Sequence, residues 1–451
     1  MEKFEQLHKH GLFDAKVPRY TSYPPANHFK NGIGQIHQAD WVRTVPVDKD
    51  ISVYIHIPFC KRLCWFCACR TQGTKTLRPV DAYVEILRKE VRAVSKALPV
   101  GVRMARLHLG GGTPTILSPE TMSRLLGDVF EAFETGDDFE FSVEIDPTEA
   151  SEDLLSTLVD FGLNRASLGV QDFAPIVQGA IGRHQSLEQT QSVIQFLRDK
   201  GVSAFNLDLL YGLPHQTMES FEQTLNHVIA MEPDRLAIYG YAHVPWMSKR
   251  QVMIKEDDLP DSEARFALAT LAQEVLGGTG YKTIGIDHFA LPSDKLFIAD
   301  QQGKVRRNFQ GYTDDQCETL IGLGASAISK FSQGYLQNAV ATSAYQERIR
   351  QSNLAAHKGY AMTAQDKLMA RVVEDLLCRF TFNSKAMSAE FPEKKSIIRE
   401  TSVMLMRKFP DVFFITPEGL EMYDWAKPLV RIIASSVDTF SRTEIAHSSA
   451  I

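Results

Sequence analysis

The chain has 451 residues, two or three times a typical domain, so a large catalytic unit with a smaller appendage is the expected plan. Lysine and arginine number 49 against 55 acidic residues, a formal charge of −6, which argues against a protein that coats nucleic-acid phosphates. An apolar fraction of 44% and a charged fraction of 23% fit an ordinary globular enzyme and exclude the disordered class. No apolar run approaches the ~20 residues of a membrane-spanning helix. The first sixteen residues alternate charged and apolar types without a signal-peptide core, so a cytoplasmic protein with no membrane span and no nucleic-acid partner is expected.

From about residue 50 to 245 the pattern alternates strand and helix. Val53–Ile57, Arg106–Leu109, Phe141–Ile145, Ala166–Val170, Phe205–Leu210 and Leu236–Tyr241 are short, apolar and rich in β-branched or aromatic residues, the signature of buried strands. Between them, Ser118-Pro119-Glu120 combines an N-cap, a proline and an early acid, and opens a predicted helix. Ser151-Glu152-Asp153 opens another that Gly162 can end, and Gly201 closes a third that carries Phe196 and Leu197. Parallel strands with intervening helices make either a doubly wound sheet or a βα barrel, and both place chemistry at the carboxyl ends of the strands. Past Gly311 the rhythm fades. A helix is predicted from Thr363 to about 380, with Asp366 as capping-box partner. Another is predicted from Thr416-Pro417-Glu418 to about Val437. The plan is therefore a segment 1–35, a catalytic unit 36–340 and a mainly helical unit 341–451, of a winged-helix kind but without a basic stripe for DNA.

The chemistry is concentrated where the strands end. Cys60, Cys64, Cys67 and Cys69 follow the first strand within ten residues, while Cys317 and Cys378 stand alone. Thiols crowded on one loop of a long intracellular chain point to a metal or cluster, not to a disulfide framework. Zinc usually takes two separated knuckles, and here there is only one. Three thiolates at C-x-x-x-C-x-x-C suit a [4Fe–4S] cube with one iron left open as a Lewis-acidic site. Gly110-Gly111-Gly112-Thr113 follows the second strand, Glu144 ends the third, Gln171 follows the fourth and Asp208 lies near the end of the fifth.

The cysteine loop followed by Gly-Gly-Gly-Thr-Pro resembles the radical S-adenosylmethionine (SAM) superfamily. Within it, Tyr54-Ile-His-Ile-Pro-Phe-Cys60, Cys69, Pro18-Arg-Tyr-Thr-Ser-Tyr-Pro24, Asp208-Leu-Leu-Tyr-Gly-Leu-Pro214, Arg307-Asn-Phe-Gln-Gly-Tyr-Thr313 and Gly324-Ala-Ser-Ala-Ile328 resemble the oxygen-independent coproporphyrinogen III dehydrogenases. The resemblance implies a partial (β/α)6 barrel, a [4Fe–4S] cluster on Cys60, Cys64 and Cys67, and one or two SAM molecules. It implies oxidative decarboxylation of two propionates of coproporphyrinogen III to vinyl groups, with an unidentified electron donor and final acceptor. Tyr54, Gly111, Gly112, Thr113, Glu144, Gln171, Arg183, Asp208, Ala242 and Ile328 match SAM-contacting positions. Phe66, Gly112, Thr113 and Gln310 match those of a second SAM. Segment 1–35 would cover the substrate. Arg19, Arg62, Arg306 and Arg307 are candidates for its carboxylates. No role follows for Cys69. Ala68, Arg70 and Trp65 depart from the usual family residues, which touches the surroundings of the cluster more than its ligands. The alternatives are a haem chaperone or a haem-modifying radical SAM relative on the same scaffold, or a structural zinc protein.

Overall fold

A computed structural model describes residues 2–440 and 449–451. The strands, in chain order, begin with β1 (Ile51–Ile57) and two short segments in the cysteine region, β2 (Phe59–Cys60) and β3 (Gln72–Gly73). Then come β4 (Met104–Gly111), β5 (Thr135–Ile145), β6 (Arg165–Gln171), β7 (Ala204–Tyr211) and β8 (Arg235–Gly240). These five and β1 are the six expected strands, each containing or nearly matching its predicted span, and they pair in parallel in chain order. They are legible because their apolar residues must be buried under helices on the outer face. Ser118, Ser151 and Ser186 cap three of those helices through their hydroxyls.

The sheet continues beyond the six. β9 (Lys282–Ile284) and β10 (His288–Ala290) add antiparallel to β8. On the other edge, β13 (Thr319–Leu323) pairs in parallel with β1, and β14 (Ile328–Phe331), β15 (Gly334–Asn338) and β16 (Ala356–Ala361) follow antiparallel. β11 (Arg306–Asn308) and β12 (Gly311–Thr313) form a separate hairpin. Among the described residues the large sheet has twelve strands. It curls: residues of β1, β4, β5, β6, β7, β8 and β10 line one interior space, which makes a partial barrel. Its floor, at the amino ends of the strands, is an ion-pair lattice. Arg106 reaches Glu140 (2.9 Å) and Asp314 (2.6 Å), Arg165 reaches Glu140 (3.2 Å), and Arg235 reaches Asp294 (2.6 Å). Charges this buried are tolerated because each has a partner.

Two sequence-based boundaries move. β16 belongs to the large sheet, so by strand pairing that unit runs to Ala361 instead of 340. The helix expected from Thr416 is a hairpin, β18 (Phe413–Thr416) and β19 (Gly419–Met422), joined to β17 (Thr381–Phe382). Thr416 accepts from Gly419 N–H and closes the turn, and Gly419 must be a glycine because a Cβ there would strike the Phe382 carbonyl. Only Val430–Val437 of the expected span is α-helical. Helix Ala364–Arg379 begins where expected, with the Thr363–Asp366 capping box formed. The N-terminal segment does not stand alone. Leu7, Leu12, Phe13, Val17, Tyr20 and Tyr23 share a buried core with the C-terminal unit.

Candidate active site

The cysteine loop leaves the carboxyl end of β1 and is held on three sides. From below, Gly112 N–H donates to the Ile57 carbonyl and Thr113 N–H to that of Phe59, both at 2.9 Å. A Cβ on Gly112 would lie 2.6 Å from the Phe59 oxygen, and one on Gly111 (φ +119°) 2.6 Å from the His56 ring. The glycines are thus required first by the approach of chain to chain, not by a ligand. From the side, Trp65 N–H donates to the Ile181 carbonyl, and Trp65 and Phe66 pack against Val177, Ile181 and Leu213. From above comes a segment sequence reasoning missed. Gln251, fully buried, donates to the Phe66 and Ala242 carbonyls (2.7 and 3.1 Å) and accepts from Val244 N–H. Ser248 donates to the Cys67 carbonyl (2.9 Å) and Arg250 to that of Thr71 (2.8 Å). No local pattern marks these residues, because their partners in the cysteine loop lie about 180 positions away in the chain.

Each of the three expected ligand sulfurs receives a hydrogen bond. Thr113 Oγ1 donates to Cys60 (3.5 Å) and Arg183 to Cys64 (3.8 Å). Cys69 donates to Cys67 and, with Arg250 and Arg183 nearby, holds that thiol down at about 6. Burial pushes the Cys60 thiol up to about 11. Three sulfurs on one loop, each facing a donor suited to negative sulfur, fit a three-thiolate iron–sulfur cluster.

The SAM positions expected from the resemblance divide in two. Tyr54, Glu144, Asp208 and Gln310 gather at the barrel interior. Tyr54 stacks on His108 (centroids 5.8 Å) and meets His56 at 2.9 Å. Glu144 accepts from Gly111 N–H (3.0 Å) and lies 3.4 Å from His108. Burial pushes Glu144 up, but the His108 and Gly111 hydrogen bonds outweigh it and leave the carboxyl below its ordinary range. Asp208, hydrogen-bonded by Asn206 (2.8 Å), is pushed up to about 7 by burial, with the Glu144 charge adding to it. Two carboxylates facing one cavity make a receptor for a cation. Arg183 and Gln171 flank Gly169 at the rim. Arg183 is anchored by Asp146 (3.1 Å), the Gly169 carbonyl (2.8 Å) and Gln185 (2.7 Å). Ala242 and Ile328 present backbone, Ala242 to Gln251 and Ile328 in pairing with Gln337.

A second cavity of about 370 Å³ opens beyond this interior, lined by the N-terminal segment, the barrel end and the C-terminal unit. Tyr239 and Gly311 face it, while Gln310 and Tyr312 face the barrel interior. The Tyr239 hydroxyl donates to the Gln310 carbonyl (3.3 Å), so these residues form the shared wall. Of the four arginines expected at substrate, Arg19 and Arg307 line this cavity. Arg62 instead bonds His184 and Thr148 beside the cysteine loop, and Arg306 turns to Glu374.

A curled parallel sheet, a cluster-competent cysteine loop at its carboxyl end and an interior in which Glu144 and Asp208 meet are the features of a radical SAM protein, and the radical SAM superfamily pattern matches residues 54–228. Whole-chain comparison narrows this. The sequence is 46% identical over the full length of both chains to the oxygen-independent coproporphyrinogen III oxidase of Paracoccus denitrificans, and 48% identical, again over both full lengths, to that of Cereibacter sphaeroides. The solved coproporphyrinogen III oxidase of Escherichia coli, described as a radical SAM enzyme, superposes with a TM-score of 0.89 at 33% identity, covering 94% of this chain and all of the other. The chain belongs to the oxygen-independent coproporphyrinogen III oxidase family.

Proposed function

We propose that the protein converts two propionate side chains of coproporphyrinogen III to vinyl groups without oxygen, giving protoporphyrinogen IX for haem synthesis in the cytoplasm. The observation that carries this reading is the pair of adjoining cavities, a barrel interior in which Glu144 and Asp208 stand above the Arg106, Arg165 and Arg235 ion-pair floor, and a second space with Arg19 and Arg307 in its lining beyond Tyr239 and Gln310. When bound, a [4Fe–4S] cluster and SAM supply a carbon radical able to take a hydrogen atom from a propionate β-carbon. Cys60, Cys64 and Cys67 hold the cluster. Arg183 fixes the Cys64 side of the loop through Asp146 and Gln185. Glu144 and Asp208 face the cationic sulfonium and amino groups of SAM, and Tyr54, Gln171 and the backbone near Ala242 and Ile328 complete its surroundings. Arg19 and Arg307 hold substrate carboxylates, and the Tyr239–Gln310 wall keeps water from the reacting carbon. Loss of carbon dioxide and one electron to an external acceptor then completes each vinyl group, and an external one-electron donor starts each turnover.

The test is anaerobic reconstitution with iron and sulfide, then incubation with SAM, reductant and coproporphyrinogen III. Vinyl product together with 5′-deoxyadenosine is expected. Haem binding with no vinyl product would replace this reading with the chaperone.

A further inference from the structure

The wall between the two cavities carries an acid that no motif singled out for a role. Asp287 sits in the turn between β9 and β10, lines the second cavity and leaves 13% of its side chain exposed. Its backbone is pinned, because Ile238 N–H donates to the Asp287 carbonyl (2.7 Å). His288 Nδ1 donates to one carboxylate oxygen (2.7 Å), and the His288 ring meets those of Tyr239 and Tyr312 edge to face (centroids 5.6 and 5.3 Å). Gly311 makes room for that ring, since a Cβ there would lie 2.7 Å from it. The carboxylate is thus held in one orientation.

Arg307 does not account for it. A plain counter-ion would meet the acid through two parallel N–H bonds. Arg307 instead reaches the second oxygen through Nη2 at 3.5 Å, while its Nε and Nη1 are buried with no partner and its guanidinium lies over the Tyr312 ring (4.4 Å). A carboxylate has room for about four hydrogen bonds, and among the described residues its donors are His288 and Arg307. Burial pushes the carboxyl up, but Arg307 and His288 outweigh it and hold the acid ionised, down at about 2. A largely buried anion with acceptor capacity to spare is costly unless further donors reach it.

We propose that Asp287 selects the reduced tetrapyrrole, accepting the pyrrole N–H groups of a porphyrinogen seated in the second cavity. This rests on the functional reading above and deepens it. A porphyrinogen carries four pyrrole N–H donors on rings joined by saturated carbons, so the rings tilt and their N–H groups can converge on one anion. In the oxidised porphyrin the macrocycle is flat, two nitrogens carry no hydrogen and the remaining N–H groups point inward. The reduced form therefore has donors to offer a fixed carboxylate, and the oxidised form does not. Hydrogen bonds to a charged acceptor are the stronger kind. Arg307 beside it takes the other group the substrate presents, a propionate, on its Nε and Nη1. The acid reads the centre of the macrocycle and the cation reads its rim.

The experiment measures anaerobic binding of coproporphyrinogen III and coproporphyrin III to the reconstituted wild-type protein and to Asp287→Asn. Both ligands carry the same propionates, so contacts to the carboxylates cancel in the ratio of affinities. The wild type should prefer the reduced ligand, and Asp287→Asn should lose about tenfold or more of that preference. A structural role alone would weaken both ligands alike, and that result, or a preference unchanged in Asp287→Asn, overturns the proposal. Should Asp287→Asn fail to load its cluster, the wild type decides with N-methylated ligands, in which one pyrrole N–H is blocked. N-methylation should weaken the porphyrinogen about tenfold more than it weakens the porphyrin, and an equal penalty on both refutes the proposal. Vinyl formation by the wild type is measured on the same preparations. Its absence would defeat the functional reading, whereas a normal wild-type turnover with unchanged variant preference defeats only the role of Asp287.

Discussion

Asp208 shows how one residue links burial to ligand chemistry. Its carboxyl rises from 3.8 to about 7 because it is desolvated and faces Glu144. A raised folded value means that folding favours the protonated acid, so this group's contribution to stability is full below about pH 4 and is lost as pH rises through about 7. A cation bound between Asp208 and Glu144 reverses the preference and drives the proton off. SAM affinity is therefore expected to rise from about pH 6 to about pH 8. Asp208→Asn should flatten that profile and weaken binding at the upper end roughly tenfold, about 1.4 kcal/mol. Calorimetry in buffers of different ionisation enthalpy would also register proton release, and a pH-independent wild-type affinity would contradict the account. At this scale the sequence was informative about type and order. Glu144, Gln171 and Asp208 were placed at strand ends from the pattern of strands alone. That Arg62 and Arg306 face away from the cavity while Arg19 and Arg307 face into it was not legible, since a lone arginine carries no periodic signal of its partner.

Among the elements, the turn Lys249–Met253 decides how firmly the cysteine loop is seated. Among the described residues, Gln251 is the hydrogen-bond partner of the Phe66 and Ala242 carbonyls and of Val244 N–H. Gln251→Ala leaves these buried groups without their partner, and destabilisation of about 3 kcal/mol is expected. The sharper readout is the cluster. Iron should leave the variant to a chelator roughly ten times faster than the wild type, as a looser loop opens more often, and equal rates would show that the loop is seated by other contacts. The element scale also shows where periodicity succeeds. The six barrel strands were readable because each is apolar and bounded by turn residues. The stretch from Thr416 was misread because Thr-Pro-Glu satisfies helix-start chemistry, while the hairpin is settled by pairing of β18 and β17 with β19 and by the Phe382 carbonyl against Gly419.

In the molecule as a whole, the N-terminal segment and the C-terminal unit are joined by a common core that closes the second cavity. Leu7 is fully buried in that core. Leu7→Ala is expected to cost about 2–5 kcal/mol, seen as a lower denaturant midpoint. Because the barrel has its own core, SAM binding should persist while porphyrin binding weakens, and parallel loss of both would mean that the two cores unfold as one. The twelve-stranded sheet follows the same logic. Its parallel centre is dictated by alternating strands and helices, whereas the β14–β15 hairpin is local, with Phe331 opposite Gly334, and reaches the sheet through the long-range pairing of β13 with β1 that no local feature announces.

The sequence by itself determined the thiol loop, the glycines beneath it, the six parallel strands and the edge at which they present polar side chains, because each is written in short-range spacing and residue type. The tertiary structure alone decided that Gln251 locks the loop, that β16 belongs to the barrel sheet, and that Arg19, Asp287 and Arg307 line one cavity from distant parts of the chain. Such meetings are fixed by the path of the backbone around two cores, and neither propensity nor periodicity encodes that path locally.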